Sequence, residues 1–494
     1  SVRSLQYCSA NSHLQCELRF RQHLSLQLMM VVRHCTALLI STISLTAPIS
    51  CHAFYSSGQH HQPSKTALHS NIDLSSFCAE ADIQQINQIP QSDSTLSSAR
   101  GWMEHIEQRD GPKYGVGAYT VLRCDATLQP EMHCEWKIWG EKFHMDRLSS
   151  SFQTLTTNLF GATESAGGFY GGGITSMSGM GRSVHTESMF TDSIEETRHV
   201  MTMLLEQATK SVCANAYNSQ HEGSLTHTLM LTILWTPSSS QQSTPLVRGH
   251  AAFATIAPES TTSNSIDNES HLSLPTPITA CVAIPNQLTP ESLSILPRRH
   301  GMNLNLQRQV GSSASSKVSS WCRIRRPLED PNRYKPPGVG EVILVRKPET
   351  ERGTNIMTYS NENFIDTLEL LEGLISNLFV VYKDGTFRTA PVGLVLPGYA
   401  RHLIIQELNE RGIKVNSANP PTIQDMRDGL WSEVFVTSAI RLVVPVERII
   451  MPATGANVIP LILWEAPNDE YRATRMIQSA MYQRGCRQAT VKNV

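Results

Sequence analysis

The chain has 494 residues, 40% hydrophobic and 17% charged, enough for two or three domains with an ample buried core. A formal net charge of −2, without any block of lysine or arginine, excludes the basic face that a nucleic-acid partner needs. The 11 cysteines are odd in number and lack CxxC spacing, which argues against a disulfide framework or a metal site and for free thiols in a reducing compartment.

From Met30 a short basic part, Val31-Val32-Arg33-His34, precedes the apolar run Thr36 to Ile49 and then SCHAFYSSG. This order predicts a secretory-type signal, and the run is too short for a comfortable membrane span, so no membrane is expected for the mature form. With Phe54 after Ala53 and a hydroxyl-rich, acid-poor stretch behind it, CHAF resembles the bipartite plastid presequence of diatoms and related algae. That resemblance implies a plastid protein; an ordinary signal peptide, a frayed terminus or a cytoplasmic chain are the alternatives. The polar residues 55–95 predict disorder, so 1–98 reads as presequence and disordered N-terminal region.

Globular texture begins near Ala99. Gly115–Asp125 and His133–Gly140 read as consecutive strands, β-branched and aromatic, joined by a polar turn. Glu141–Leu155 reads as a helix, with Phe143, Leu148, Phe152 and Leu155 on one face. The glycine run Gly167–Gly173 lacks a G-K-[ST] ending and a preceding strand, so it reads as an insertion and not a phosphate loop. Asp192–Tyr217 is an amphipathic helix, and Leu225–Thr236 and Thr276–Pro285 are strands around a serine- and threonine-rich insertion, 237–270. Residues 99–298 thus form a small α+β domain, 299–316 a linker, and 317–494 a second, larger domain. In the latter, Glu341–Lys347 is a strand, Leu368–Pro391 contains a hairpin turning at Lys383-Asp384-Gly385, and Leu396–Ile413 is a helix closed by Gly412. A short helix at TIQDMRDG, a strand pair over Trp431–Ile449 broken near Thr437-Ser438, and a terminal helix complete it.

Four motifs stand out in this order: FHMDRL (Phe143–Leu148), LEGLISNLFVV (Leu371–Val381), TAP…VLPGYAR (Thr389 to Arg401) and EVFVTSAIRLVVPV (Glu433–Val446). Each alone is a weak signal. Together, at these separations over about residues 100–485, they resemble the class IV aminotransferases, which include branched-chain and D-amino-acid aminotransferases and aminodeoxychorismate lyase. The run Trp321-Cys322-Arg323-Ile324-Arg325-Arg326-Pro327-Leu328-Glu329 is similar to that of a plant and algal group within this family. The resemblance implies an α+β fold of two domains, with pyridoxal 5′-phosphate in the cleft between them and a homodimer. It also implies transamination between a small amino acid and a 2-oxo acid through a lysine Schiff base. Pyruvate elimination of the lyase type, or a non-catalytic protein on the same fold, are the alternatives.

By the same resemblance Arg147 holds the cofactor phosphate and Glu372 faces the pyridine nitrogen. A phosphate dianion favours amide donors at a helix start; Gly398 lets the backbone approach, and Tyr399 and Ala400 supply the amides. Asn377, Thr437 and Ser438 are candidate cofactor contacts; structural roles in the hairpin and strand turn compete with that reading. His144 reads as a packing and hydrogen-bonding residue and Arg401 as a salt bridge supporting the helix start. In the family the catalytic lysine lies some two dozen residues ahead of the strand leading to E-G. Lys317, 24 positions before Glu341, fits better than Lys335 in a proline-rich turn or Lys347 in a loop. Two departures bear on the site. Trp321 occupies the region where the family often has a tyrosine for the phenolic oxygen, and Ala439 stands near the usual turn threonine.

Overall fold

The computed structural model describes residues 76–80, 85–89, 96–129, 133–160, 190–219, 226–238, 244–254, 274–283, 316–332, 334–346, 365–452, 460–467 and 469–494. The presequence, the glycine run, most of the linker and the insertion after Arg346 lie outside them. The first sheet is built from β1 (Ser76–Glu80), β2 (Gln85–Ile89), β3 (Ala118–Leu128), β4 (Cys134–Ile138), β5 (Thr226–Thr236) and β6 (Leu246–Phe253). Its helices are α1 (Ala99–Tyr114), α2 (Glu141–Phe160) and α3 (Thr191–Ser219).

Strand periodicity decides how these layers meet. In β3, Ala118, Leu122, Cys124 and Ala126 point to one face, where Met145, Leu148 and Phe152 of α2 and Val200, Leu204 and Ala208 of α3 close the core. Tyr119 points to the other face, toward Trp102, Met103 and Ile106 of α1. In β5 the same alternation sends Leu229, Leu231, Ile233 and Trp235 to the helices, and Leu234 to α1.

The second sheet contains β7 (Ile278–Val282), β8 (Val339–Arg346), β9 (Glu369–Gly373), β10 (Asn377–Tyr382), β11 (Phe387–Arg388), β12 (Val415–Asn416), β13 (Trp431–Ser438), β14 (Leu442–Met451) and β15 (Leu461–Glu465). Around it lie α4 (Ser320–Ile324), α5 (Tyr399–Glu410), α6 (Ile423–Arg427) and α7 (Arg472–Gln488). The order β10–β13–β14–β7–β8–β9 closes on itself because β9 also pairs with β10, through Glu372 and Asn377. The ring encloses its own core, with Val282, Ile343, Leu378, Val380, Val434 and Val446 among the buried residues.

The expected hairpins, helices and strand break are present: Gly385 takes φ 80° in its turn, Gly412 takes φ 68° after α5, and Thr422 caps α6 in a capping box. Four expectations are corrected. The strand within Thr276–Pro285, expected in the first domain, runs parallel to β8 and β14 in the second sheet. The C-terminal β16 (Thr490–Asn493) returns to the first sheet beside β4, so the chain crosses twice between the two halves. Part of the expected insertion is β6, whose Val247 and Ala251 are buried; its glycine, alanine and histidine hide the alternation. Residues 76–80 and 85–89, expected to be disordered, form an antiparallel pair because β6 offers β1 a free edge.

Candidate active site

Lys317 is placed by backbone pairing. Its carbonyl accepts from Tyr119 N (2.9 Å), its own N–H donates to Ser151 Oγ (3.1 Å), and Ser319 N donates to Gly117 O (2.8 Å). The lysine thus sits on a one-bridge strand against β3, immediately ahead of α4. Gly117 is required there: an added Cβ would stand 2.3 Å from Trp235 O. The serines around the lysine read as loop, but Ser316, Ser319 and Ser320 are buried, and Ser319 Oγ accepts from Gly117 N at 3.0 Å. Lys317 Nζ lies 4.9 Å from the centroid of the Tyr119 ring, a cation–π geometry.

Arg147, on α2, is held by a buried network. It donates to Pro397 O (3.2 Å) and Thr120 Oγ1 (2.9 Å), and Thr120 lies 2.7 Å from His144 Nδ1. His144 is fully buried, and burial, then the charges of Arg147 and Lys317, hold its pKa well below the ordinary value. A neutral imidazole accepting at Nδ1 lets Arg147 approach at 3.1 Å without repulsion. His144 is therefore the positioning residue for this arginine. The bond to Pro397 brings the guanidinium to the start of α5, where the first amides have no partners within the helix.

Glu372 is buried on β9. One of its oxygens accepts from Leu396 N (3.0 Å) and Asn377 Nδ2 (3.3 Å), and Asn377 also donates to Leu396 O (2.8 Å). A Cβ on Gly398 would lie 2.2 Å from Asn377 Oδ1. The glycine thus makes room for the asparagine, a different reason from the backbone approach expected of it. Thr437 of β13 pairs with Asn377 of β10, and its buried hydroxyl has no hydrogen-bond partner among the described residues. Ser438 Oγ instead accepts from Arg441 N (3.2 Å) and closes the turn. Arg401 donates to Ala390 O at 2.9 Å, a backbone carbonyl in place of the expected salt bridge.

All nine candidate residues line one cavity of about 410 Å³: Lys317, Arg147, Glu372, Asn377, Gly398, Tyr399, Ala400, Thr437 and Ser438. That size is within the usual range for small-molecule sites. The set fits pyridoxal phosphate. A buried guanidinium, helix-start amides and an orphaned hydroxyl suit a phosphate, a buried carboxylate suits a protonated ring nitrogen, and an amine suits an aldehyde. Trp321 is not a substitute for the missing tyrosine, since its indole N–H donates to Leu374 O at 2.9 Å.

Sequence reasoning missed three residues of this site. Tyr119 gave no signal beyond its strand, and Thr120 is chemically ordinary. Glu341, read only as a strand start and as the reference point for placing Lys317, accepts from Val342 N (3.0 Å), Leu374 N (3.2 Å) and Ser376 Oγ (2.7 Å). It thereby fixes the turn between Glu372 and Asn377. Among the described residues no cluster of histidine, cysteine, aspartate or glutamate has a metal-binding arrangement.

Residues 314–449 match the family model of amino-transferase class IV. A comparison with curated proteins finds no match. Solved structures similar to the chain include a branched-chain amino acid aminotransferase mutant from Thermobaculum terrenum, at 13% identity over 85% of this chain and 97% of that one, TM-score 0.42. The Escherichia coli branched-chain amino acid aminotransferase is 14% identical over 83% of this chain and 94% of that one, TM-score 0.41. The Thermoproteus uzoniensis branched-chain aminotransferase with norvaline is 13% identical over 84% and 96%, TM-score 0.40.

Proposed function

We propose that the protein transaminates a small amino acid with a 2-oxo acid, with Lys317 as the catalytic amine; in support, residues 314–449 match the amino-transferase class IV family, whose members use pyridoxal phosphate. One observation carries the reading: segments far apart in sequence bring Lys317, Arg147, Glu372 and the start of α5 to a single cavity.

When bound, the cofactor supplies a conjugated ring that takes up the electron pair released at the substrate Cα. The chain's own residues do the rest. Arg147, the amides of Tyr399 and Ala400, and Thr437 Oγ1 would hold the cofactor's phosphate, where hydrogen bonds to charge are strong. Glu372, steadied by Asn377 and Leu396, would keep the ring nitrogen protonated. Lys317 Nζ, set over the Tyr119 ring, would take the Cα proton and hold it for return on the far side of the substrate's amino nitrogen. His144 stays neutral and keeps Arg147 aimed at the phosphate. Two further proposals rest on the family and presequence resemblances: a homodimer and a plastid location.

The test is an absorbance scan of the purified, cofactor-loaded protein, followed by borohydride reduction and peptide mapping. Reduction is expected to fix the cofactor on Lys317, and Lys317→Ala is expected to lose the visible band. An unchanged spectrum in that variant would refute the assignment. Incubation with an amino-acid panel then separates transamination, which aminates the cofactor, from pyruvate elimination.

A further inference from the structure

Arg441 ends the turn between β13 and β14 and lines the cavity. Three features fix that turn. Arg441 N donates to Ser438 Oγ, Arg123 Nη1 donates to Ile440 O at 2.8 Å, and Leu442 takes φ 57° while buried. A leucine in the left-handed region is strained, so it persists only where its surroundings enforce it. Strain of this kind concentrates at ligand sites.

The guanidinium stands beside the Glu341 carboxylate, with Nη2 4.0 Å from Oε2. That is too long for a hydrogen bond. Glu341 is already engaged by Val342 N, Leu374 N and Ser376 Oγ, so it steadies the arginine's charge without consuming its donors. Leu374 and Ser376 are themselves cavity residues, which locates the guanidinium at that wall. The other arginines of the cavity are committed. Arg147 is bonded to Pro397 and Thr120, Arg100 to Glu104 and Glu329, and Arg325 is ion-paired with Glu329 at 3.1 Å. Among the described residues the Arg441 guanidinium donates no hydrogen bond, and its side chain is 38% exposed.

We propose that Arg441 is a substrate-binding residue whose guanidinium takes a carboxylate of the substrate. Its fork of donors matches a carboxylate in two parallel hydrogen bonds, and Glu341 and the strained Leu442 hold it ready. The identity of the ligand rests on the aminotransferase reading, but its binding does not require turnover. The full chain, cofactor-loaded, is titrated calorimetrically with butyrate and with glutarate, in wild type, Arg441→Gln and Arg441→Lys. Loss of the charged pair is expected to weaken binding roughly ten- to a hundredfold in Arg441→Gln, with Arg441→Lys between the two. Weakening for both acids assigns the contact to the α-carboxylate, and weakening for glutarate alone assigns it to a side-chain carboxylate. Equal dissociation constants in wild type and Arg441→Gln, or no binding to wild type, overturn the proposal. A failure of the aminotransferase reading shows separately, as the absence of a Lys317-dependent absorbance band.

Discussion

Gly398→Ala tests how the start of α5 and the Glu372 carboxylate are joined. The new Cβ would lie 2.2 Å from Asn377 Oδ1, while the next side-chain atom of another residue, Arg401 Cβ, is 3.9 Å away. The backbone at Gly398, φ −74° and ψ 146°, suits alanine, so the clash with Asn377 is the main cost. Relieving it means moving an amide that donates to Leu396 O and to the Glu372 carboxylate. Loss of one neutral bond, about 1 kcal/mol, and one bond to a charged group, about 2 kcal/mol, sums to about 3 kcal/mol of destabilisation. Asn377→Ala vacates that space. In its background Gly398→Ala is expected to cost no more than about 0.5 kcal/mol, the residual effect of exchanging glycine for alanine at a helix cap. Urea unfolding of the four proteins, followed by tryptophan fluorescence, gives the coupling energy. A cost near 3 kcal/mol in both backgrounds would show that Asn377 is not what the glycine accommodates.

Two further perturbations probe the surroundings of the site. His144 has its pKa lowered by burial, so below about pH 6.5 the unfolded chain takes up a proton that the folded one does not. Its stabilising share is therefore complete above that pH and declines as pH falls, by up to about 1.4 kcal/mol per unit. His144→Gln should flatten stability between pH 6 and 5 relative to wild type, even though His250, whose pKa burial lowers to about 4, titrates with the same sign in both proteins. Identical slopes would contradict a neutral, buried His144. Trp321→Phe keeps the buried ring but leaves Leu374 O without its indole donor, for a loss of about 1 kcal/mol in urea. Because that N–H is committed to the backbone, the absorbance maximum of the cofactor-loaded protein should stay in place. A shifted maximum would mean that the indole acts on the cofactor after all.

The individual elements were legible because period and punctuation are local properties. Apolar spacing marked α2 and α3, glycine in the left-handed region marked the turn at Gly385 and the end of α5, and alternation marked β3 and β5. The motif residues were legible by type, because a phosphate, a ring nitrogen and an aldehyde each ask for a particular side chain. Strand pairing was not legible. β7 reads as one more strand of the first half, and only its parallel register with β8 and β14 shows that it completes the second sheet. β16 carries too few apolar residues to announce that it returns to β4. At Lys317 the sequence determined which amine was the candidate and how far it stood from Glu341. Tertiary structure decided that its serines are buried, that Tyr119 lies beneath it, and that Thr120 and His144 aim Arg147 at the same cavity. The physical reason is range: propensity and periodicity act over a few neighbours, whereas a hydrogen bond from Lys317 to Ser151 joins residues 166 positions apart.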